Sequence, residues 1–237
     1  MNLILVSADE RQGNRVQVSG RRLQHIRQVH RATEGDQLRV GEINGLMGTG
    51  VITALSDEVA ELQLDLDHPP PKPLPLSLLL ALPRPKMLKR VLQCVTTLGI
   101  KHVVLLNSYR VEKSYWQSPW LSAEAIHQQL ILGLEQARDT RLPTITLEKR
   151  FKPFVEDRLP LLAAGKRCLV AHPGSNQPAP HRLEQESLLA IGPEGGFIPY
   201  EVEKLQQAGF GGFHIGPRIQ RVENAIPLIV GKLLDDF

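Results

Sequence analysis

Two stretches near the C-terminus hold the residue types best suited to grip a small ligand. Ile191-Gly192-Pro193-Glu194-Gly195-Gly196-Phe197 follows an apolar run and leads into a helical pattern. Ile215-Gly216-Pro217-Arg218-Ile219-Gln220-Arg221-Val222-Glu223-Asn224-Ala225 repeats that layout further on. Glycine lets backbone amides approach a ligand closely, and in α/β sheets ligands bind beyond the carboxyl ends of strands. Neither stretch carries the Gly-Lys-Ser/Thr of a phosphate loop or the G-x-G-x-x-G of a dinucleotide fold, and Glu194 would repel a phosphate. A cationic or zwitterionic ligand bearing a nucleoside suits such loops, and S-adenosylmethionine is of that kind. A purely structural Gly-Pro turn accounts for the same residues equally well.

Basic chemistry is concentrated at the other end. Residues 11–33 contain Arg11, Arg15, Arg21, Arg22, Arg27 and Arg31 with no acid, a formal +6 in a chain whose total is +3. Arginines clustered on one small domain suit the phosphates of a nucleic acid, and with no DNA-reading motif RNA is the better fit. A solvated charged face is the alternative. Tyr109, Tyr115, Trp116 and Trp120 lie among Arg110, Lys113 and Ser114. They could stack an extruded base or simply pack a long loop. Cys94 and Cys168 sit in apolar stretches without ligand spacing, as reduced core thiols of a cytoplasmic protein do, and no metal site is expected.

The elements that must position these residues fall into two patterns. Pro69, Pro70, Pro71, Pro73 and Pro75 break any helix or central strand and read as a linker over 69–75, although a long surface loop would look similar. Before it, in 1–68, short β-like runs at 3–6, 15–18, 36–41, 50–55 and 59–65 suggest a small barrel, with a helix over Gly20–Val29. After it, in 76–237, buried strands at 76–82, 102–106, 167–171, 187–191 and 212–215 alternate with helices at 85–98, 122–137, 199–208 and 225–234, the pattern of a parallel α/β sheet. Asn224 is expected to cap the last helix, which puts Pro227 in its first turn. Hydrophobic residues make up 42% of the chain and charged residues 22%, within the range of globular proteins. No apolar run nears the ~18 residues of a membrane span, and MNLILVSADE lacks the basic start of a signal peptide.

Several strings together resemble a known family. IGPEGGF (191–197), EVEKLQQAGF (201–210), IGPRIQRVENA (215–225), EQARDTRLP (135–143), ALPRPKMLKRVLQCVTTLG (81–99) and HIRQVHRATEGD (25–36) are similar to the bacterial 16S ribosomal RNA (uracil-N3)-methyltransferases of the SPOUT superfamily. The resemblance implies an α+β two-domain chain. Its N-terminal domain would be a PUA-like β-barrel that helps bind RNA, and its C-terminal domain an α/β methyltransferase domain with a trefoil knot, a rare exception to unthreaded connections. It implies S-adenosylmethionine as cofactor, 16S rRNA of the small ribosomal subunit as partner, and a homodimer. Cofactor-binding residues would be Leu82, His172, Ile191, Gly192, Pro193, Glu194, Gly195, Gly196, Ile215, Gly216, Pro217 and Ile219. Glu223 is the candidate base by position. Arg218 and Arg221 would stabilise charge on the uracil oxygens, and Arg15, Arg21, Arg22, Arg27, Arg31, Arg138 and Arg141 would bind RNA. The chain has Cys94 and Thr97 where the family usually has Lys and Glu, and Asn224 where Thr is usual. These departures leave an RNA-binding paralogue with an altered target or weak catalysis as the alternative.

Overall fold

The computed structural model describes residues 2–234; the expected domain limits at 1 and 237 lie outside them. Two compact units emerge. The first comprises Met1–Lys72 together with Leu130–Leu142, and the second Pro73–Gln129 together with Pro143–Phe237. The division between Lys72 and Pro73 falls within the proline run, and Leu130–Leu142, which a division at the prolines alone leaves with the second domain, belongs to the first unit.

In the first unit, β1 (Ile4–Val6), β2 (Arg11–Gln12), β3 (Arg15–Val18), β4 (Gln37–Glu42), β5 (Met47–Leu55) and β6 (Ala60–His68) form one sheet in the order β1-β4-β5-β6-β3-β2. β1 runs parallel to β4, and the other pairs are antiparallel. Period-two alternation turns Val16, Val18, Leu38, Val40, Leu62 and Leu64 into one core. β1 does not alternate because both of its faces are covered. Ile4 and Val6 enter that core, while Leu3 and Leu5 pack with Leu134, Ile131 and Leu142.

The segment Leu130–Leu142 is bound to this sheet by specific bonds. Asn2 N–H donates to the Glu135 carbonyl at 3.0 Å, and Asn44 N–H to the Thr140 carbonyl at 2.8 Å. Thr140 Oγ1 donates to the Gly45 carbonyl at 2.6 Å, and Leu142 N–H to Asn44 Oδ1 at 2.9 Å. The helix Ala123–Ala137 ends in a left-handed residue, Arg138 (φ 55), and Asp139 N–H returns to the Leu134 carbonyl at 3.1 Å, a Schellman ending. Near that end the Glu135 carboxylate, only 2% exposed, receives both arms of Arg21 at 2.8 Å.

The second unit is a six-stranded sheet of β7 (Leu76–Ala81), β8 (His102–Leu106), β9 (Thr144–Glu148), β10 (Arg167–Ala171), β11 (Ser187–Ile191) and β12 (Gly211–Phe213). The order is β12-β10-β11-β7-β8-β9, and every pair is parallel. β7 and β11 are buried at every residue, as inner strands covered on both faces must be. Helix Pro85–Thr97 begins with proline and stops before Gly99 (φ 83). Helix Pro199–Gln207 follows β11.

The edge strand β9 and the consecutive helical turns between Phe151 and Ala163, which include Pro153 and Pro160, have no counterpart in the periodicity. The last helix corrects an expectation. It spans Val222–Leu233, with Arg221 rather than Asn224 at the cap and Ala225 N–H bonded to the Arg221 carbonyl at 2.8 Å, which leaves Pro227 in the interior. The buried series Val222, Ile226, Ile229, Val230 and Leu233 begins at Val222, so packing outweighs the capping preference. Among the described residues no helix is long and apolar enough to cross a membrane.

Arg21→Ala strands the buried Glu135 carboxylate, and loss of one partner of a buried ion pair costs several kcal/mol. Because Arg21 is half exposed, a loss of roughly 2–3 kcal/mol is expected in urea unfolding. Arg21→Ala with Glu135→Gln should recover part of it; a double variant no more stable than the single one refutes this account.

Candidate functional site

The parallel sheet sends the exits of β8, β10, β11 and β12 to one edge, where they enclose a cleft of about 370 Å³, the size of a small-molecule site. The floor comes from Ala171–Pro173 after β10. One wall is Ile191–Phe197 after β11. The other is Phe213–Gln220 after β12, continued by Val222, Ala225 and Ile229 of the last helix. Both Gly-Pro stretches therefore line one cavity. Every expected cofactor residue is in its wall except Leu82, which is 1% exposed and spends its N–H on the Leu106 carbonyl at 2.9 Å. Of the three expected catalytic residues, only Arg218 lines the cleft. Arg221 and Glu223 lie outside the wall, at the start of the last helix.

The glycines have distinct reasons. A Cβ on Gly192 would lie 2.8 Å from the Phe197 nitrogen, because the loop folds back on itself there. A Cβ on Gly195 would lie 2.9 Å from Cδ of Arg110, whose guanidinium donates to the Gly195 carbonyl. Gly196 has φ +74, a left-handed conformation that favours glycine. Glu194 is held from outside the loop: its Oε1 accepts from Arg84 N–H at 3.3 Å, with the Arg84 guanidinium 4.0 Å away. Burial pushes the His172 imidazole below its ordinary pKa, so this residue is neutral at pH 7. Gly216 N–H donates to His214 Nδ1 at 3.1 Å, which fixes the second wall. Arg110 and His214 were not anticipated. His214 falls inside the strand expected over 212–215 and becomes an exit residue because β12 ends at Phe213; Arg110 arrives from the β8 exit without a local motif.

The N-terminal arginines look different in space. Acids from outside the segment answer five of the six: Arg11 pairs with Glu42, Arg15 with Glu61 at 3.6 Å, Arg21 with Glu135, Arg22 with Glu10, and Arg27 with Asp57 at 2.7 Å. The Arg22 guanidinium, hydrogen-bonded to Glu10, holds that carboxyl down at about 2. Arg31 is exposed, at φ 53. Sequence proximity thus overstated the field, and Arg21 and Arg22 serve the first unit's own structure. Arg138 and Arg141 are exposed.

The aromatics divide similarly. Trp116 Nε1–H donates to Asn107 Oδ1 at 2.8 Å, and Lys89 Nζ sits 3.7 Å above the Trp120 ring. Tyr109 is 79% exposed, which leaves its ring available to stack. Both cysteines are free, and burial raises both thiol pKa values, so neither is a poised nucleophile.

Comparison with known proteins places this cleft in a family context. The RNA methyltransferase domain family matches residues 70–234. Ribosomal RNA small subunit methyltransferase E of Treponema pallidum is 30% identical over 233 residues, covering 95% of this chain and 87% of that protein. A solved ribosomal RNA small subunit methyltransferase E from Neisseria gonorrhoeae, bound to S-adenosyl methionine, has a TM-score of 0.75 at 17% identity, covering 100% of both chains. A Legionella pneumophila methyltransferase solved with its bound cofactor SAM has a TM-score of 0.73 at 21% identity, covering 97% of this chain and 95% of that one. At these identities the two structures speak for the fold.

The two loop glycines should respond differently to alanine. Gly192→Ala drives a methyl into backbone and is expected to cost about 1–3 kcal/mol, whereas Gly195→Ala displaces only a flexible arginine and should cost under about 0.5 kcal/mol. Thermal unfolding of both variants checks the order, which a larger loss at Gly195 would reverse.

Proposed function

Because the chain belongs to the RNA methyltransferase family, and within it to the ribosomal RNA small subunit methyltransferases E, we propose that it transfers the methyl group of S-adenosylmethionine to N3 of a uridine in 16S ribosomal RNA. The observation that carries this reading is the cleft bounded by the two Gly-Pro strand exits. Its residues fit the cofactor: Gly192–Gly196 and Ile215–Ile219 offer backbone to a nucleoside, Glu194 suits a cationic ligand, and neutral His172 adds no opposing charge. When bound, the cofactor supplies a methyl already activated on a sulfonium, so the protein's task is mainly alignment. The N3–methyl bond forms as the sulfur–methyl bond breaks, and the N3 proton must leave. Glu223, in the first turn of the last helix, is the proposed acceptor of that proton, and Arg218 and Arg221 are the proposed partners of charge on the uracil oxygens.

In this reading the first unit is a PUA-like barrel and the second a SPOUT domain with a trefoil knot. The out-of-sequence order β12-β10-β11-β7 supports the second assignment. Arg15, Arg27, Arg31, Arg138 and Arg141 are the proposed phosphate contacts, since Arg21 and Arg22 are committed to Glu135 and Glu10. The enzyme works as a homodimer in the cytoplasm, where its ribosomal substrate lies. Ile219 and Leu228, 80% and 42% exposed beside and on the last helix, support a partner on that face.

Deleting the gene should remove 3-methyluridine from 16S rRNA nucleosides measured by mass spectrometry, and restoring it should return the modification. An unchanged nucleoside profile would leave RNA binding without catalysis as the function. Light scattering at micromolar concentration should give twice the chain mass; a monomer there rejects the dimer.

A further inference from the structure

The glycine-rich wall of the cleft has little to hold it in shape from within. Between Ile191 and the helix at Pro199 its one internal backbone bond is Gly196 N–H to the Pro193 carbonyl, at 2.7 Å. Further restraints come from the helix that follows and from other strand exits, and the most elaborate begins after β8. In the sheet β7 stands between β11 and β8, so a group from the β8 exit must reach across two strand spacings, roughly 10 Å, to touch the loop. Arg110 does so. Its guanidinium donates to the Gly195 carbonyl, and its Cδ occupies the space that a side chain at 195 would need.

Arg110 is itself aimed from below. Glu201 is 2% exposed, and its two oxygens are divided between the two loops. Oε1 accepts from Tyr109 N–H at 2.7 Å, the residue before Arg110, and Oε2 accepts from Ile198 N–H at 3.0 Å, where the glycine-rich loop ends. A buried carboxylate is costly unless its lone pairs are used. Here charge-assisted bonds to backbone use them, and they fix the spacing between the two loops. An ordinary helix start needs only the Ile198 contact; the bond to Tyr109, 92 residues away in sequence, serves the cleft.

We propose that Arg110, set in place by Glu201, is a positioning residue that holds the glycine-rich loop in its ligand-binding shape. This rests on the cofactor assignment above. A loop ordered before binding spares the ligand the cost of ordering it, so loss of the tie shows as weaker binding of any ligand that uses the loop backbone.

The test is calorimetry on the full-length protein with two probes, S-adenosylmethionine and 5′-methylthioadenosine, which keeps the nucleoside and lacks the amino-acid part. Arg110→Ala should weaken both by about tenfold while leaving the melting temperature close to wild type, because the side chain is exposed. Arg110→Lys should recover part of the loss, since one ammonium can still reach a carbonyl but without the planar fork. Glu201→Gln should weaken binding similarly, and the double variant Arg110→Ala/Glu201→Gln should be no weaker than the worse single one, because both act through one link. Wild-type affinity in Arg110→Ala overturns the proposal. So does a loss confined to S-adenosylmethionine, which would make Arg110 a direct contact of the ligand's carboxylate, and so do losses that multiply in the double variant. If Glu201→Gln does not fold, the two probes and the Arg110→Lys rescue decide alone. If wild-type protein binds neither probe, the cofactor assignment fails, which is a separate result.

Discussion

A parallel sheet with both faces covered sends all its strand exits to one edge, and most of the second unit follows from that constraint. β7 and β11 can be buried at every residue only because helices cover them. Their exits then emerge beside those of β8, β10 and β12, and loops that are remote in sequence become the walls of one cleft. The glycines are answers to crowding at that edge. Gly192 makes room for the loop's own return, and Gly195 makes room for an arginine from another exit.

How much of this could be read from the chain depends on whether the signal was local. Continuous apolar runs announced β7, β8, β10 and β11 because burial on both faces leaves no alternation to misread. The first Gly-Pro exit was legible for the same reason, since it sits directly after β11; the second, after the short β12, was legible because it repeats the layout of the first. Arg110 and Glu201 were not legible as partners, since their link joins positions about ninety residues apart and neither belongs to a spacing rule. The start of the last helix was misread because Asn224 is a good cap in isolation, while the burial of Val222 is a property of the packed molecule. β9 escaped because an edge strand of five residues, none of them buried, carries too weak a pattern.

The arginine-rich segment shows the same limit for charge. Along the sequence it holds six cations and no anion. In space Glu10, Glu42, Asp57, Glu61 and Glu135 answer five of them. Ion pairs between exposed partners, such as Arg27 with Asp57, contribute little to stability, whereas the pairing of Arg21 with a Glu135 that is only 2% exposed is a condition for burying that carboxylate at all. One run of arginines therefore contains both fold-determining and surface residues, and composition cannot tell them apart.

The dependence of the first unit on Leu130–Leu142 bears on how the chain acquires its structure. When the first seventy-two residues have been synthesised, β1 still lacks Leu134 against Leu3 and Leu5, and Arg21 still lacks its carboxylate. The unit is completed only after a stretch belonging to the other unit, Pro73–Gln129, has emerged and its ends have been brought together, a closure whose entropic cost rises slowly with length. The proline run is thus a boundary in space without being a place where the chain can be cut. The N-terminal unit is encoded in two pieces, and a fragment ending at the prolines would expose the apolar face that the second piece covers.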